Sequence, residues 1–405
     1  MPCTLSYKER SFTTTGLKPV QIGSRSIHAI SHKLRLPDPN QILNLDSDAT
    51  VTLVTHLLLI FRTFSMAPSN TAAQLTAARA HPLVVQSVPY PTPGAGEIIV
   101  KVAAAAVNPM DWMIQSLGEN LFPWLQYPLT LGNDAAGTVV EVGAGVTKFK
   151  VGDRVVGLNA AFDSRSGAFQ NYCALQANIT CPIPDDLSFA DASVLPLGLC
   201  TAAPGLFQKD FLALDYPSVD NVKPNGKTLL VWAGASSVGS NAVQLAAAAG
   251  YEVITTASPK NFDYCKKLGA SQVLDYNSKS ITQDLLKAFE GKTSAGGFAV
   301  HPASADIVFE VIAKSHGAKF VAAAFQVPEV LPEGIEAKMV WGGSLKDNEV
   351  GPLIFDQYLP AALAKKTYQC TPHAVVLGHG LDKIQGAWDQ LKEQGVSAKK
   401  LVITL

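Results

Sequence analysis

The residues of this 405-residue chain whose types and spacing could best do chemistry are Gly234-Ala235-Ser236-Ser237-Val238-Gly239. They follow a continuous apolar run, Thr228 to Trp232, of the kind shown by a strand buried on both faces. They precede a segment in which Ala242, Leu245, Ala246 and Ala249 recur at helical spacing. The six residues are therefore the turn from a strand into a helix. Small residues there let backbone N–H groups approach an anion, and the helix dipole favours negative charge at that end. The pattern suits a pyrophosphate held by Gly234, Ala235, Ser236, Ser237 and Val238. Gly250 is placed to end the helix, and Tyr251 to Thr256 alternates as the next strand.

A second constellation lies where that next strand ends. A dinucleotide site for NAD commonly has Asp or Glu about 20 residues past the first glycine, bonded to the ribose hydroxyls. The count from Gly234 reaches Thr255, Thr256, Ala257 and Ser258, none of them acidic. A carboxylate would repel a 2′-phosphate, whereas a hydroxyl and an ammonium would bind one. Ser258 and Lys260 supply both, so NADPH is expected over NADH. The competing reading of Lys260 is a solvated residue at a helix start.

The elements that must hold these residues form an alternating series. Helices are expected over Lys260 to Leu268, Ile281 to Phe289 and Ser304 to Lys314. Strands are expected over Gln272 to Leu274, Phe298 to His301, Lys319 to Phe325 and Met339 to Trp341. That gives a doubly wound sheet of roughly six strands over 199–341. Upstream, from Met66, the chain has short strands between glycine turns: Glu97 to Ala106, Gly137 to Val142 and Val151 to Gly157. This is the texture of a small barrel over 66–198. Asp185 to Leu206 reads as helical. After Gly342 a helix around Ile354 to Ala364, strand Ala374 to Leu377, helix Leu381 to Gln394 and strand Lys400 to Leu405 close the chain. Residues 342–405 are expected to return to the first domain.

Composition excludes several functions. A hydrophobic fraction of 47% and a charged fraction of 16% suit a soluble protein rich in buried sheet. A net charge of -1 offers no electrostatic case for nucleic acid or an anionic membrane. The six cysteines are scattered without a C-x-x-C, which supports neither a disulfide framework nor a cysteine-rich zinc cluster and favours a reducing cytoplasm. Residues 1–65 read as a disordered or artefactual extension before a functional start at Met66. Their apolar run, Val51 to Phe64, falls short of the ~20 residues that span a bilayer.

Five motifs in order, with the arrangement of barrel, dinucleotide domain and returning tail, resemble the medium-chain dehydrogenase/reductase superfamily over Leu83 to Leu405. Val107-Asn108-Pro109-Met110-Asp111 resembles its N-P-x-D turn. Leu131-Gly132-Asn133-Asp134-Ala135-Ala136-Gly137 resembles the segment that reads G-H-E-x-x-G in zinc alcohol dehydrogenases. Val151 to Val155 resembles the G-D-R-V turn, and Gly167 to Tyr172 the G-A-x-x-x-Y strand; the glycine turn is the fifth. The resemblance implies an α/β protein with a GroES-like β-barrel catalytic domain and a Rossmann dinucleotide-binding domain. It also implies that the zinc ligands are missing, because Asn108 and Asn133 stand near the Cys and His positions and the cysteine-rich structural lobe is absent. Ser258-Pro259-Lys260-Asn261-Phe262-Asp263 is most similar to the zinc-free enoyl reductases that act in trans with fungal polyketide synthases.

The resemblance further places Thr201 beside the nicotinamide, Tyr276 and Asn261 near the adenosine phosphate, and Ser397-Ala398 against the nicotinamide half. Thr201 has an equal reading as a hydroxyl bonded to its own backbone. Asp111 either orients cofactor and backbone or caps a helix over Trp112 to Gln115. Met113 departs from relatives, which often carry Lys there. Trp124 and Tyr127 are candidates for an apolar cleft or for core, His301 for a structural role. The expected activity is zinc-free hydride transfer from NADPH to an enoyl or quinone-type acceptor, the acyl thioester on a carrier being one form. A catalytically silent NADPH-binding protein is the alternative. The protein is expected to act as a monomer or homodimer.

Overall fold

The computed structural model describes residues 68–405 apart from residues 121 and 162, and the expectations for residues 1–65 lie outside that range. The first part of the chain is short strands: β1 (Asn70–Leu75), β2 (Val84–Val88), β3 (Glu97–Ala106), β4 (Leu129–Thr130), β5 (Asp134–Val142), β6 (Arg154–Leu158), β7 (Tyr172–Gln176) and β8 (Thr180–Pro182). β1 sits between β2 and β4 in one three-stranded sheet. β3, β5, β6 and β8 pair antiparallel in sequence, and β7 pairs with β3. The strand expected from Val151 begins later, at Arg154, because Gly152 adopts φ +95° and Asp153 accepts the Lys150 N–H at 2.9 Å, which makes a turn.

Three helices carry the groups of most interest. α1 (Pro109–Leu117) starts with Pro at its first position, where the missing N–H is harmless. α2 (Pro196–Phe207) starts the same way and is almost wholly buried. The apolar stretch Phe189–Phe207 is long enough to cross a membrane by composition, yet 72% of it is buried inside the protein, as a core element would be. α3 (Ser237–Ala248) follows the glycine turn, and Gly250, at φ +85°, lets the chain leave its end.

Six strands form the second sheet: β9 (Lys227–Val231), β10 (Glu252–Ala257), β11 (Gln272–Asp275), β12 (Thr293–Ala299), β13 (Phe320–Ala323) and β14 (Glu336–Met339). All its pairings are parallel, in the order β11-β10-β9-β12-β13-β14. That is the doubly wound dinucleotide-binding order, with the chain reversing direction of travel between β9 and β12. The reason β9 reads as an unbroken apolar run is now visible. Leu229 and Val231 face one core with Ala242 and Leu245 of α3, while Leu230 and Trp232 face another. That second core is completed by α4 (Ile281–Ala288) and α5 (Ala305–Lys314).

The chain then returns. β15 (His373–His379) pairs parallel with β16 (Lys399–Thr404), and β16 pairs antiparallel with β3, matching Val402 to Ala106. Between them α6 (Ile384–Gln394) packs the fully buried Trp388 on Phe169, with ring centroids 5.6 Å apart. One apolar core runs without a break from Ala104, Val156 and Cys181 of the first sheet through α2 to Leu229 and Val253 of the second.

Candidate functional site

The glycine turn is closed by its own hydrogen bonds. Ser236 caps α3, its hydroxyl accepting the Gly239 N–H at 3.0 Å and donating to the Ala233 carbonyl at 2.7 Å. A Cβ on Gly239 would collide with the Ala233 carbonyl, so the turn closes this tightly only with glycine there. Ala233 itself holds φ +62°, a strained conformation for alanine that the surrounding bonds maintain. The five residues expected to bind phosphate divide. Gly234 and Ser236 spend their N–H groups inside the fold, on Thr256 and Ala233. Ser237 and Val238 lie in the first helical turn, where N–H groups have no intrahelical acceptor.

At the far end of β10 the structure brings other expected residues together. The side-chain amide of Asn261 donates to Ser258 Oγ at 3.2 Å and to Ser397 Oγ at 2.9 Å, tying the strand end to the loop before β16. Ala398, next to it, takes φ +50°. The register pairs Ala257 with Asp275, which sets Ser258 and Tyr276 at neighbouring strand ends. Tyr276 and Lys260 are exposed. The Asp275 carboxylate is engaged by the Asn277 N–H at 2.9 Å and its side-chain amide at 3.0 Å.

Asp134 and Lys400 are the residues that the sequence reading passed over. Each appeared in a motif but was given no partner. Asp134 is fully buried and meets three segments at once. Oδ1 accepts the Leu197 N–H at the start of α2 at 2.6 Å. Oδ2 accepts the Asn108 side-chain amide at 2.8 Å and pairs with Lys400 Nζ at 2.6 Å. Lys400, 4% exposed, also lies 3.5 Å from Ser237 Oγ at the start of α3. The available signal was a charge beside an apolar run, Asp134 before Ala135-Ala136 and Lys400 before Leu401-Val402-Ile403, since a buried charge requires a partner.

Asp111 joins this group through Asn108, whose N–H it accepts on Oδ2 at 2.8 Å. It is thus the capping-box residue of α1, which begins at Pro109 instead of Trp112. Its other oxygen has no well-directed partner among the described residues, although the Gly132 N–H lies close enough to favour ionisation. Burial dominates and raises the carboxyl from 3.8 to about 8, with Asp134 adding to the rise and the Asn108 N–H and Lys400 opposing it. Thr201 lies in the middle of α2, and its hydroxyl donates to the Leu197 carbonyl at 2.7 Å. A Cβ on Gly342 would stand 3.1 Å from that hydroxyl, which places Thr201 against the chain leaving β14.

The remaining candidates fall elsewhere. Tyr127 packs on the barrel-side core with its hydroxyl by Gly118, while Trp124 is 65% exposed. His301 is exposed beyond β12, which ends at Ala299, and its Nδ1 accepts the Ala303 N–H at 3.2 Å. Cys173 is buried, which pushes its thiol up to about 12, and burial raises Cys181 as well, so neither is poised for redox chemistry. Near the positions expected for zinc ligands, Asn133 donates its amide to the Asn159 carbonyl at 3.1 Å and Asn108 donates to Asp134. Among the described residues no three His, Cys, Asp or Glu side chains are grouped to hold a metal ion. These donors do not fit a zinc centre.

Two outcomes follow from the buried group. Lys400→Met removes the cation paired with the buried Asp134, and should lower the unfolding free energy by about 3–5 kcal/mol in chemical denaturation. Adding Asp134→Asn to it should recover part of that loss. Because the folded pKa of Asp111 is raised, its stabilising contribution is full below about pH 4 and is lost as pH rises to about 8. Asp111→Asn, which can still accept the Asn108 N–H, should flatten the pH dependence of stability across that window. The slope removed is at most about 1.4 kcal/mol per pH unit; an unchanged slope would refute the assignment.

With this geometry established, comparison with known proteins gives a consistent picture. Residues 94–185 match the alcohol dehydrogenase GroES-like domain, and residues 237–327 match the domain described as zinc-binding dehydrogenase. A dehydrogenase, pigH, of Monascus ruber is 46% identical over 369 residues, covering 84% of this chain and 100% of the relative. A trans-enoyl reductase, himH, of Aspergillus japonicus is 37% identical, covering 83% of this chain and 97% of its own. A mycobacterial structure complexed with NADPH is 26% identical with a TM-score of 0.63, covering 83% of this chain and 100% of its own. Two such domains, a doubly wound nucleotide sheet and full-length relatives of this identity make the chain a member of the medium-chain dehydrogenase/reductase family, an oxidoreductase with a GroES-like domain and a Rossmann nucleotide-binding domain.

Proposed function

We propose that this oxidoreductase is a zinc-free, NADPH-dependent reductase of activated C=C bonds, with quinone-type acceptors as the neighbouring substrate class. The observation that carries the reading is the pair Asn108 and Asn133, whose amide nitrogens donate inward where a Lewis-acid centre would need soft donors. Conjugate reduction of an enoyl group requires no such centre. The relative named a trans-enoyl reductase supports the same class.

NADPH is supported by the far end of β10, where Ser258, Asn261 and Ser397 form a neutral hydroxyl-amide cluster and Lys260 adds a positive charge nearby. Tyr276 and Ala398 complete that wall. Ser237 and Val238 offer N–H donors for the pyrophosphate, with Gly234, Ala235 and Ser236 shaping the turn. Ser237 and Val238 would hold NADPH with its hydride available to the acceptor's β-carbon, and water would supply the proton that the α-carbon takes up.

The chain's own part is orientation and charge stabilisation. Negative charge developing on the acceptor's carbonyl oxygen needs a donor, and Thr201 can turn its hydroxyl from Leu197 to provide one. Asp111 acts through Asn108 and Asp134, holding the start of α1 and the start of α2 at a fixed separation. It is a positioning residue.

Lys260→Ala should raise the KM for NADPH about ten- to hundred-fold, the loss expected for one charge-assisted bond, and leave that for NADH within about two-fold. Equal changes for both would remove the NADPH assignment. A panel of enones, quinones and enoyl thioesters, with zinc content and chelator treatment measured on the same preparation, tests the chemistry. Turnover without metal supports the proposal. Tight NADPH binding with every acceptor inert favours the silent binding protein, and chelator-sensitive activity with bound zinc overturns the zinc-free mechanism.

A further inference from the structure

Aromatic side chains from both parts of the chain meet around Phe122, a buried member of the barrel-side core. Phe122 lies just beyond α1. Its ring centroid is 5.2 Å from that of Trp124 at an interplanar angle of 49°, and 6.0 Å from that of Trp341 at 76°. Trp341 belongs to the other lobe. It follows the carboxyl end of β14, where the strand ends at Met339 and the chain turns into the short helix Gly342–Asp347. In an open parallel sheet, ligands bind outside the carboxyl ends of the strands. The very next residue, Gly342, is the one that closes on Thr201.

Exposure distinguishes the two indoles from core, whereas Phe122, 7% exposed, belongs to the barrel-side core and bridges them. Trp124 is 65% exposed and Trp341 38%, whereas Trp388 is fully buried and Trp232 is 8% exposed. Such large apolar surfaces are left to water mainly where something else covers them. Tilted rings at this spacing present both faces and edges, and they favour a flat π-system over a saturated chain of equal length. Met339, the last residue of β14, is also 39% exposed.

We infer that Trp124 and Trp341, seated on the buried Phe122 ring, form the subsite for the part of the acceptor remote from the reacting bond, and that this part is a planar conjugated chain. The inference rests on the conjugate-reductase reading above and names the substrate class within it. A polyenoyl thioester would lie with its reacting C=C by Thr201 and its distal double bonds against the rings. A saturated acyl tail would gain only the apolar contact. Specificity would therefore follow the length of conjugation and not chain length as such.

Two N-acetylcysteamine thioesters, 2-butenoyl and 2,4,6-octatrienoyl, test this with the full chain and NADPH. Trp124→Ala should raise KM for the trienoyl ester about ten-fold and leave the butenoyl KM and the NADPH KM unchanged. Trp124→Phe, which keeps an aromatic face, should restore most of the loss, and Trp341→Phe serves as a milder probe where truncation unfolds the chain. Equal losses for both esters, or none for either, would overturn the subsite. A loss seen only when the acyl group is delivered on a carrier protein would also overturn it, making Trp124 a docking residue. Should no acceptor be reduced by the unaltered protein, the conjugate-reductase reading fails. The subsite is then judged by calorimetric binding of the trienoyl ester to unaltered and Trp124→Ala protein in the presence of NADP+, where unchanged affinity rejects it.

Discussion

The arrangement depends on one buried carboxylate. Asp134 is taken wholly out of water, a state that requires several partners at once, and it finds them on segments distant in sequence: Asn108, Leu197 and Lys400. Each lies at or beside the start of an element. Asn108 precedes the helix with Asp111, Leu197 lies one turn before Thr201, and Lys400 reaches the start of the dinucleotide helix. Desolvation thus does work that a metal ion would do elsewhere, fixing the relative positions of polar groups at the junction of two sheets.

Much of this was legible in the sequence. The βαβ unit around Gly234 was readable because its strand is covered on both faces and its helix on one, which gives each a distinct apolar period. The absence of a carboxylate after β10 was equally plain. Boundaries were less so. Val151 looked like strand because it is apolar, but the left-handed Gly152 and the Asp153 side chain make a turn there. Trp341 looked like the last residue of a strand, and its local sequence carries no sign that the ladder ends two residues earlier.

What stayed hidden was partnership across long separations. Asp134 and Lys400 stood in motifs as isolated letters, and only the return of β16 to β3 brings them within 2.6 Å. Phe122 and Trp341 are also far apart in the chain, and no periodicity links them. Asp111 was weighed between orienting a cofactor and capping a helix. The structure has it as the capping-box residue, and the same bond couples it to the buried group. For Thr201 the structure has the backbone bond, to the Leu197 carbonyl.

The pairing of β16 with β3 joins the last described strand to one near the beginning, with the nucleotide sheet threaded between. Local contacts close early and cheaply in a growing chain, whereas pairings of such range wait for their second partner. On the ribosome, β7 can cover the Glu97–Lys101 part of β3 early, but the Ala104–Ala106 end keeps its edge open while the whole nucleotide sheet is made. That edge is a row of unpaired backbone groups ready to accept another strand. The nucleotide lobe can fold as a unit during this interval, so the first lobe is the one exposed to mispairing, and residue 404 must be synthesised before its sheet is safe.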